Sequence, residues 1–189
     1  MSESEMNAEG KIGNAEWVED PLFRQRYRFE HEGDHLKIEI ETQPGGGVLS
    51  EHIHPGLQER YRILEGQLTF ELDGEKRPAG PGDELVVEPG ARHRFENTGP
   101  GPSRLLVEAR PPMRLRESIE KGARMTAGGR FTAGGRPKTL PALLQAADFS
   151  LRYRDTVVLT SPPPALQGVL FGPLAALYRF GTRGDGRSR

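Results

Sequence analysis

Short turn-forming sequences interrupt the N-terminal part of this chain about every 8–12 residues, and this spacing restricts what the chain can fold into. Between the turns, apolar and polar residues alternate. After the Gly33-Asp34 turn, for example, Leu36, Ile38 and Ile40 alternate with charged residues. A period of two is typical of strands with one buried face. The 24 glycines and 16 prolines also disfavour a helical bundle. We therefore predict a mainly β fold, a sandwich or barrel of short strands.

The same patterns divide the chain into segments. We predict strands at 26–31, 36–41, 48–54, 59–64, 67–72, 84–88, 92–97 and 103–110. Beyond Pro111-Pro112 we predict a short strand at 156–160 and helices at 113–125, 140–154 and 165–180, the second capped by Thr139. The predicted organisation is a polar N-terminal tail (1–20), a β-barrel (21–112), a helical C-terminal extension (113–182) and a frayed tail (183–189).

Composition excludes several classes of protein. The formal net charge of −1 offers no electrostatic footprint for nucleic acid. The absence of cysteine excludes disulfides, thiolate metal sites and cysteine nucleophiles, and it fits the cytoplasm. No run of about 18 apolar residues is present, so we expect no membrane span. The polar, acidic N-terminus also differs from a signal peptide.

Three of the five histidines are placed where strands should bring them together. His52 and His54 are two residues apart on a predicted strand, so both side chains point to the same face. Glu59 begins the next strand after a Pro-Gly turn, and His93 follows 34 residues later. Three imidazoles and one carboxylate would offer nitrogen and oxygen ligands to one divalent transition metal. Solvent-facing or core histidines are the alternative interpretation.

The spacing around these residues resembles the two sequence motifs of the cupin superfamily. Nine of the ten fixed positions agree, and Glu88 stands where proline is usual. The first motif comprises Gly46, His52, His54, Glu59 and Gly66, and the second comprises Gly82, Glu88, Gly90, His93 and Asn97. The resemblance covers residues 35 to 110. The segment after Pro111 is similar, more weakly, to the helical extensions of some small bacterial cupins.

This resemblance implies a jelly-roll barrel, also called a double-stranded β-helix, of six to eight strands around one metal. Carried over residue by residue, His52, His54, Glu59 and His93 are the implied ligands, and the motif glycines are turn formers. The ligand types do not distinguish Fe, Mn, Ni, Cu and Zn. Cupin barrels commonly pair through their sheets, so a homodimer is also implied.

By strand parity, four further side chains should share the barrel interior with the ligands: Ser50, Tyr61, Ile63 and Phe95. Such a lining suits a small, partly aromatic ligand, although ordinary core packing is the alternative. His31 and His35 flank one hairpin and are interpreted as solvated turn residues. The repeated Thr-Ala-Gly-Gly-Arg sequences at 126–130 and 132–136 predict a flexible linker rather than an anion-binding nest.

The last predicted helix carries an apolar stripe at helical spacing. Such a stripe packs on its own domain or on a partner, and a lid over the barrel is a second interpretation. For function, we expect a mononuclear metal enzyme acting on a small organic molecule, a dioxygenase. A cupin isomerase or decarboxylase and a non-catalytic binding or sensing module are the alternatives.

Overall fold

The computed structural model describes residues 12–13, 15–132 and 134–184, and within this part of the chain eleven strands form two antiparallel sheets. The first sheet has the order β1-β2-β3-β10-β5-β8 and the second β11-β4-β9-β6-β7. The strands are β1 (Val18–Asp20), β2 (Gln25–Glu32), β3 (His35–Thr42), β4 (His52–Ile53), β5 (Gln58–Glu65), β6 (Leu68–Leu72), β7 (Glu75–Ala79), β8 (Glu84–Val87), β9 (His93–Asn97), β10 (Ser103–Arg110) and β11 (Val158–Leu159). The helices are α1 (Leu115–Thr126), α2 (Leu140–Arg152) and α3 (Pro164–Gly184).

One apolar core lies between the two sheets, built from the inward-facing residue of each alternating pair. Tyr61 of β5 meets Phe70 of β6 across the core, with ring centroids 5.1 Å apart and the rings near perpendicular. Phe95 of β9 completes this aromatic group, 5.4 Å from Phe70. All three side chains are at most 3% exposed. Large buried rings of this kind contribute much of the stability of a small barrel.

Two glycines allow backbones to approach more closely than any side chain would permit. Gly47 has a φ of +140°, and a Cβ built there would lie 2.3 Å from the carbonyl oxygen of Phe95. Gly66 has a φ of +82°, and its Cβ would lie 2.2 Å from the hydroxyl of Ser103. Both positions hold neighbouring strands in register, so a substitution at either residue would displace a strand.

The structure confirms the predicted fold class, a mainly β double-sheet barrel with a helical extension. Two strands, β1 and β7, were not predicted from the sequence pattern. β7 is a polar edge strand containing Pro78, without the alternation of a half-buried strand, and β1 has only three residues. β1 also lies within the predicted tail 1–20, whose first eleven residues, like residues 185–189 of the frayed tail, fall outside the described part of the chain.

The predicted strand at 48–54 is shorter than expected. Only His52 and Ile53 pair regularly, although the carbonyls of Gly46 and Val48 accept hydrogen bonds from β9 at 2.8 and 3.2 Å. The unusual backbone of Gly47 separates these contacts from the regular ladder.

The C-terminal extension folds back onto the barrel. Leu115 of α1 is buried in the barrel core, and β11 adds a strand to the second sheet beside β4. Thr139 caps α2 as predicted, its side chain accepting a hydrogen bond from the amide of Ala142. The segment between α1 and α2 differs from the predicted flexible linker. Phe131 is buried there, and Ser50 of the barrel donates to the carbonyl of Gly134 at 3.4 Å.

The last helix, α3, packs on α2 and leaves part of its apolar stripe on the surface. Val169 and Leu177 are 77% and 61% exposed. Among the described residues, no helix is long and apolar enough to cross a membrane.

Candidate metal centre

Three histidines converge where β4 and β9 run side by side. His52 and His93 are direct partners in this antiparallel pair, with ring centroids 4.1 Å apart. His54 follows β4 immediately before the Pro-Gly turn, and its ring centroid is 5.0 Å from that of His52. One nitrogen from each ring lies within 4.8 Å of the other two, and all three side chains are buried.

Each histidine is held by a backbone carbonyl at its Nδ1 atom. The acceptor is Ser50 for His52 at 3.0 Å and Ala91 for His93 at 3.1 Å. For His54 it is Thr156, at 2.6 Å, a residue from the C-terminal extension. A carbonyl oxygen can only accept, so Nδ1 carries the proton in every ring. The Nε2 lone pairs are therefore left to point at one another, the arrangement in which histidines bind metal ions.

Glu59 of β5 brings a carboxylate to the same place. Its Oε2 atom lies 3.4 Å from Nε2 of His54 and 3.1 Å from Nε2 of His93, and it accepts a hydrogen bond from the hydroxyl of Tyr61 at 2.7 Å. Burial alone would raise the pKa of Glu59. The positive charges that His54 and His93 can carry, together with the hydrogen bond from Tyr61, nevertheless hold that pKa well below its usual value.

These residues fit a divalent metal ion. His93 Nε2 is buried and makes no hydrogen bond with the described residues, so this nitrogen lacks a partner unless a cation or a proton is supplied. Burial, followed by the charges that His93 and His54 can carry, also holds the pKa of His52 well below its ordinary value. His52 therefore stays neutral, the form that ligates a metal. The His52, His54 and His93 group can hold a metal ion.

A cavity of about 240 Å³ opens beside the histidines and runs between the barrel and its extension. His52, His54 and Glu59 line one part of it. Most of the remaining wall is apolar, contributed by both units of the chain: Tyr27, Ile40 and Val107 from the barrel, and Ile119, Phe131 and Phe149 from the extension. A cavity of this kind suits a small, largely apolar molecule.

Of the four predicted pocket residues, Ser50, Tyr61 and Phe95 line this cavity. Ile63 does not; it is 1% exposed and packs within the core. Tyr61 and Ile63 share one face of β5, and strand parity alone cannot distinguish the residue that lines the cavity from the one that packs only in the core.

The sequence interpretation missed the contribution of the extension to this site. α1, α2, β11 and the loop around Phe131 cover the mouth of the barrel, whereas none of the described side chains of α3 lines the cavity. Asp20 of β1 also lines the cavity and was not anticipated. Its position after Trp17-Val18-Glu19 in an acidic segment carries no signal that would have singled it out.

The one departure from the motif pattern leaves the ligands in place. Glu88 lies at a turn in which its backbone carbonyl accepts from the amide of Ala91 at 3.1 Å, and the amide of Gly90 donates to the backbone carbonyl of His54 at 2.9 Å. The Glu88 side chain accepts hydrogen bonds from Gln58 at the surface. His35 lies near Asp34 on its hairpin, remote from the cavity lining, in agreement with its interpretation as a turn residue.

Together, the two sheets and the buried histidines define a small β-barrel protein with a candidate metal site. Residues 38–107 match the family model described as the cupin domain, and this range contains all four candidate ligands. This match confirms, for residues 38–107, the resemblance to the cupin superfamily that the motifs predict.

The curated relatives of this chain include two Streptomyces proteins named for polyketide synthases. The chain is 36% identical over 66 residues to the polyketide synthase CurC of Streptomyces cyaneus, which covers 35% of this chain and 43% of that protein. It is 36% identical over 72 residues to the tetracenomycin polyketide synthase protein TcmJ of Streptomyces glaucescens, covering 38% and 48%. The chain thus spans less than half the length of either relative. Among solved structures, KdgF from Halomonas sp. is similar with a TM-score of 0.46 and 23% identity, over 51% of this chain and 86% of that one.

Proposed function

We propose that this protein is a mononuclear metal enzyme of the dioxygenase type, in which His52, His54, Glu59 and His93 hold one divalent transition metal. The observation that carries the proposal is the hydrogen bonding of the three histidines. All three Nδ1 protons are directed to backbone carbonyls, and the Nε2 atoms converge beside a buried carboxylate. When bound, such a metal supplies Lewis acidity to a substrate oxygen and, if redox-active, electrons for O₂.

The charges at the site favour a particular kind of substrate. Three neutral imidazoles and one carboxylate leave one positive charge of a divalent ion uncompensated. An anionic oxygen, such as a phenolate or the enolate of a 1,3-diketone, would balance it. Phe95 and Tyr61 supply an aromatic wall beside the site. The hydroxyl of Tyr61 donates a hydrogen bond to Glu59, which holds that carboxylate in one orientation.

The names of the relatives agree with this chemistry. Both are named as polyketide synthase proteins, and aromatic polyketides combine phenolic and ketonic oxygens on a flat apolar body. The covering helices would exclude bulk water from such a body while it reacts. We therefore propose a phenolic or diketonic molecule of this class as the substrate.

Elemental analysis of protein purified without chelator tests the metal site. We expect about one transition metal ion per chain in the wild type and in His35→Ala, a matched histidine variant on the surface hairpin, but much less in His52→Ala. Metal retained at full stoichiometry by His52→Ala would contradict the assignment.

Oxygen consumption tests the reaction. The protein is loaded in turn with Fe, Mn, Ni, Cu and Zn and offered aromatic diols, flavonols and diketones. O₂ uptake that depends on metal and substrate supports the proposal. Turnover of these substrates without O₂ uptake would replace it with a non-redox reaction, an isomerisation or a decarboxylation.

A further inference from the structure

A second buried carboxylate lines the cavity, apart from the candidate metal ligands. Asp20 ends β1 at the edge of the first sheet and is only 3% exposed. It lines the same cavity as His52 and His54, which belong to or adjoin β4 of the second sheet. Its neighbours in the cavity wall include Phe23, Tyr27 and, from the end of α1, Thr126.

The Asp20 carboxylate accepts hydrogen bonds from its own turn and from α1. Oδ1 accepts long hydrogen bonds from the amide of Phe23 at 3.3 Å and from the hydroxyl of Thr126 at 3.4 Å. These contacts stabilise the turn after β1 and attach it to α1. The amide of Leu22 also donates to this carboxylate, but no lysine or arginine in the described part of the chain forms an ion pair with Asp20.

Burial of the charged Asp20 carboxylate lowers the stability of the folded protein. Burial raises the pKa of Asp20 despite the hydrogen bonds from Phe23, Leu22 and Thr126, which act in the opposite direction. The turn alone does not require this charge, because an asparagine offers the same Oδ1 acceptor. A buried carboxylate in the wall of an apolar cavity, with no cationic partner among the described residues, is placed to accept a hydrogen bond from a bound molecule.

We propose that Asp20 is a substrate-binding residue that accepts a hydrogen bond from a hydroxyl or amino group of the molecule in the cavity. Resting on the proposed function, this narrows the substrate class. The molecule has an apolar, aromatic body with an oxygen donor for the metal at one position and a hydrogen-bond donor for Asp20 at another. Most of the other residues that line the cavity, such as Tyr27 and Ile40, are apolar and suit the body of such a molecule.

Two probes of nearly the same shape test the inference. 2-Naphthol carries a hydroxyl donor, and 2-methoxynaphthalene replaces it with an acceptor. Their affinities are measured by calorimetric titration on the full-length chain, as purified and after treatment with EDTA. We expect the wild type to bind 2-naphthol about tenfold or more tightly than 2-methoxynaphthalene, the effect of one hydrogen bond to a charged group.

Asp20→Asn keeps the size of the side chain and the Oδ1 acceptor, but it places an N–H₂ donor where Oδ2 was. In this variant we expect the ratio of the two affinities to fall to about one or to invert. Asp34→Asn, the same change on the exposed hairpin, should leave the ratio as in the wild type. If Asp20→Asn fails to fold, the wild-type ratio and an Asp20→Ala variant still decide the matter.

Three outcomes would overturn the inference: a wild type that does not prefer 2-naphthol, a preference that survives Asp20→Asn, or a wild type that binds neither probe. Metal content is measured on the same samples. A chain that holds no metal as purified but keeps the Asp20-dependent ratio contradicts only the proposed function. A chain that holds metal without this ratio contradicts only the role of Asp20.

Discussion

The contact between the extension and His54 makes a sharp prediction about metal affinity. The Thr156 carbonyl accepts the Nδ1 proton of His54 at 2.6 Å, and Thr156 is completely buried. The pairing of β11 with β4 holds this carbonyl in place. Thr160 donates to the carbonyl of Glu51 at 3.1 Å, so by the alternation of an antiparallel ladder the amide of Val158 is directed at Ile53.

Val158→Pro should therefore loosen the extension from the metal site. Proline removes the amide that bonds to Ile53 and leaves that carbonyl without its partner, a cost of about 1–3 kcal/mol for the β11–β4 contact. Once the Thr156 carbonyl is free to move, His54 loses its fixed tautomer and ring orientation. Loss of such an outer partner typically weakens metal binding by about 10–100-fold. We expect a decrease of this size in Val158→Pro.

The measurement is a Zn²⁺ titration against a chromogenic competing chelator, together with ¹⁵N NMR of the histidine rings to report the tautomer of His54. Leu159→Pro is the matched control. The amide of Leu159 points away from β4 in the same alternation, and its carbonyl, which accepts from Gln167 at 2.7 Å, is retained by proline. Equal zinc affinities in the wild type and Val158→Pro, with the Thr156 contact shown to be broken, would refute the reasoning.

Three further predictions concern stability and the cavity. Tyr61→Phe removes the hydrogen-bond donor to the buried Glu59 carboxylate and should lower the free energy of unfolding by about 1.5–3 kcal/mol. The loss should exceed that in Tyr27→Phe, which breaks only a hydrogen bond to the neutral Gln25 side chain. Urea denaturation of metal-free protein compares the two variants, and an equal loss would contradict the role given to Glu59. Burial raises the folded-state pKa of Asp20, so its favourable contribution to folding is complete below the unfolded pKa of about 3.8 and is lost as the pH rises through the raised value. The stability of Asp20→Asn relative to the wild type should therefore increase across that pH window. Urea midpoints from pH 3.5 to 7 measure this difference, and a difference that shrinks with rising pH would be inconsistent with a raised pKa. Phe131→Ala should lower the free energy of unfolding by about 3–5 kcal/mol and admit solvent to the cavity. Thermal unfolding measures the stability, and quenching of the fluorescence of bound 2-naphthol measures solvent access. Unchanged quenching would show that this loop does not seal the cavity.

Much of the fold was predictable because its signals are local. The alternation around Leu36 and the turns at Gly33 and Gly66 depend on residues that are neighbours in the chain. The short edge strands β1 and β7 were not predictable in this way, because few or none of their residues alternate between a buried and an exposed face. The segment around Phe131 was misjudged for a related reason. Its glycines predict freedom of the backbone, but a single buried aromatic ring attaches it to the molecule.

In the candidate site, too, the local features were predictable and the long-range contacts were not. The sequence by itself determined which residue types are available and which strands carry them: His52 and His54 at a spacing of two, Glu59 after a turn and His93 on a partner strand. Strand periodicity and turn geometry are enough to place such residues on one face. Only the tertiary structure decided what surrounds them. The partner of His54 lies 102 residues away at Thr156, and Asp20 reaches Thr126 over 106 residues. Such contacts depend on how the extension packs over the barrel, and no local pattern in the chain specifies that packing.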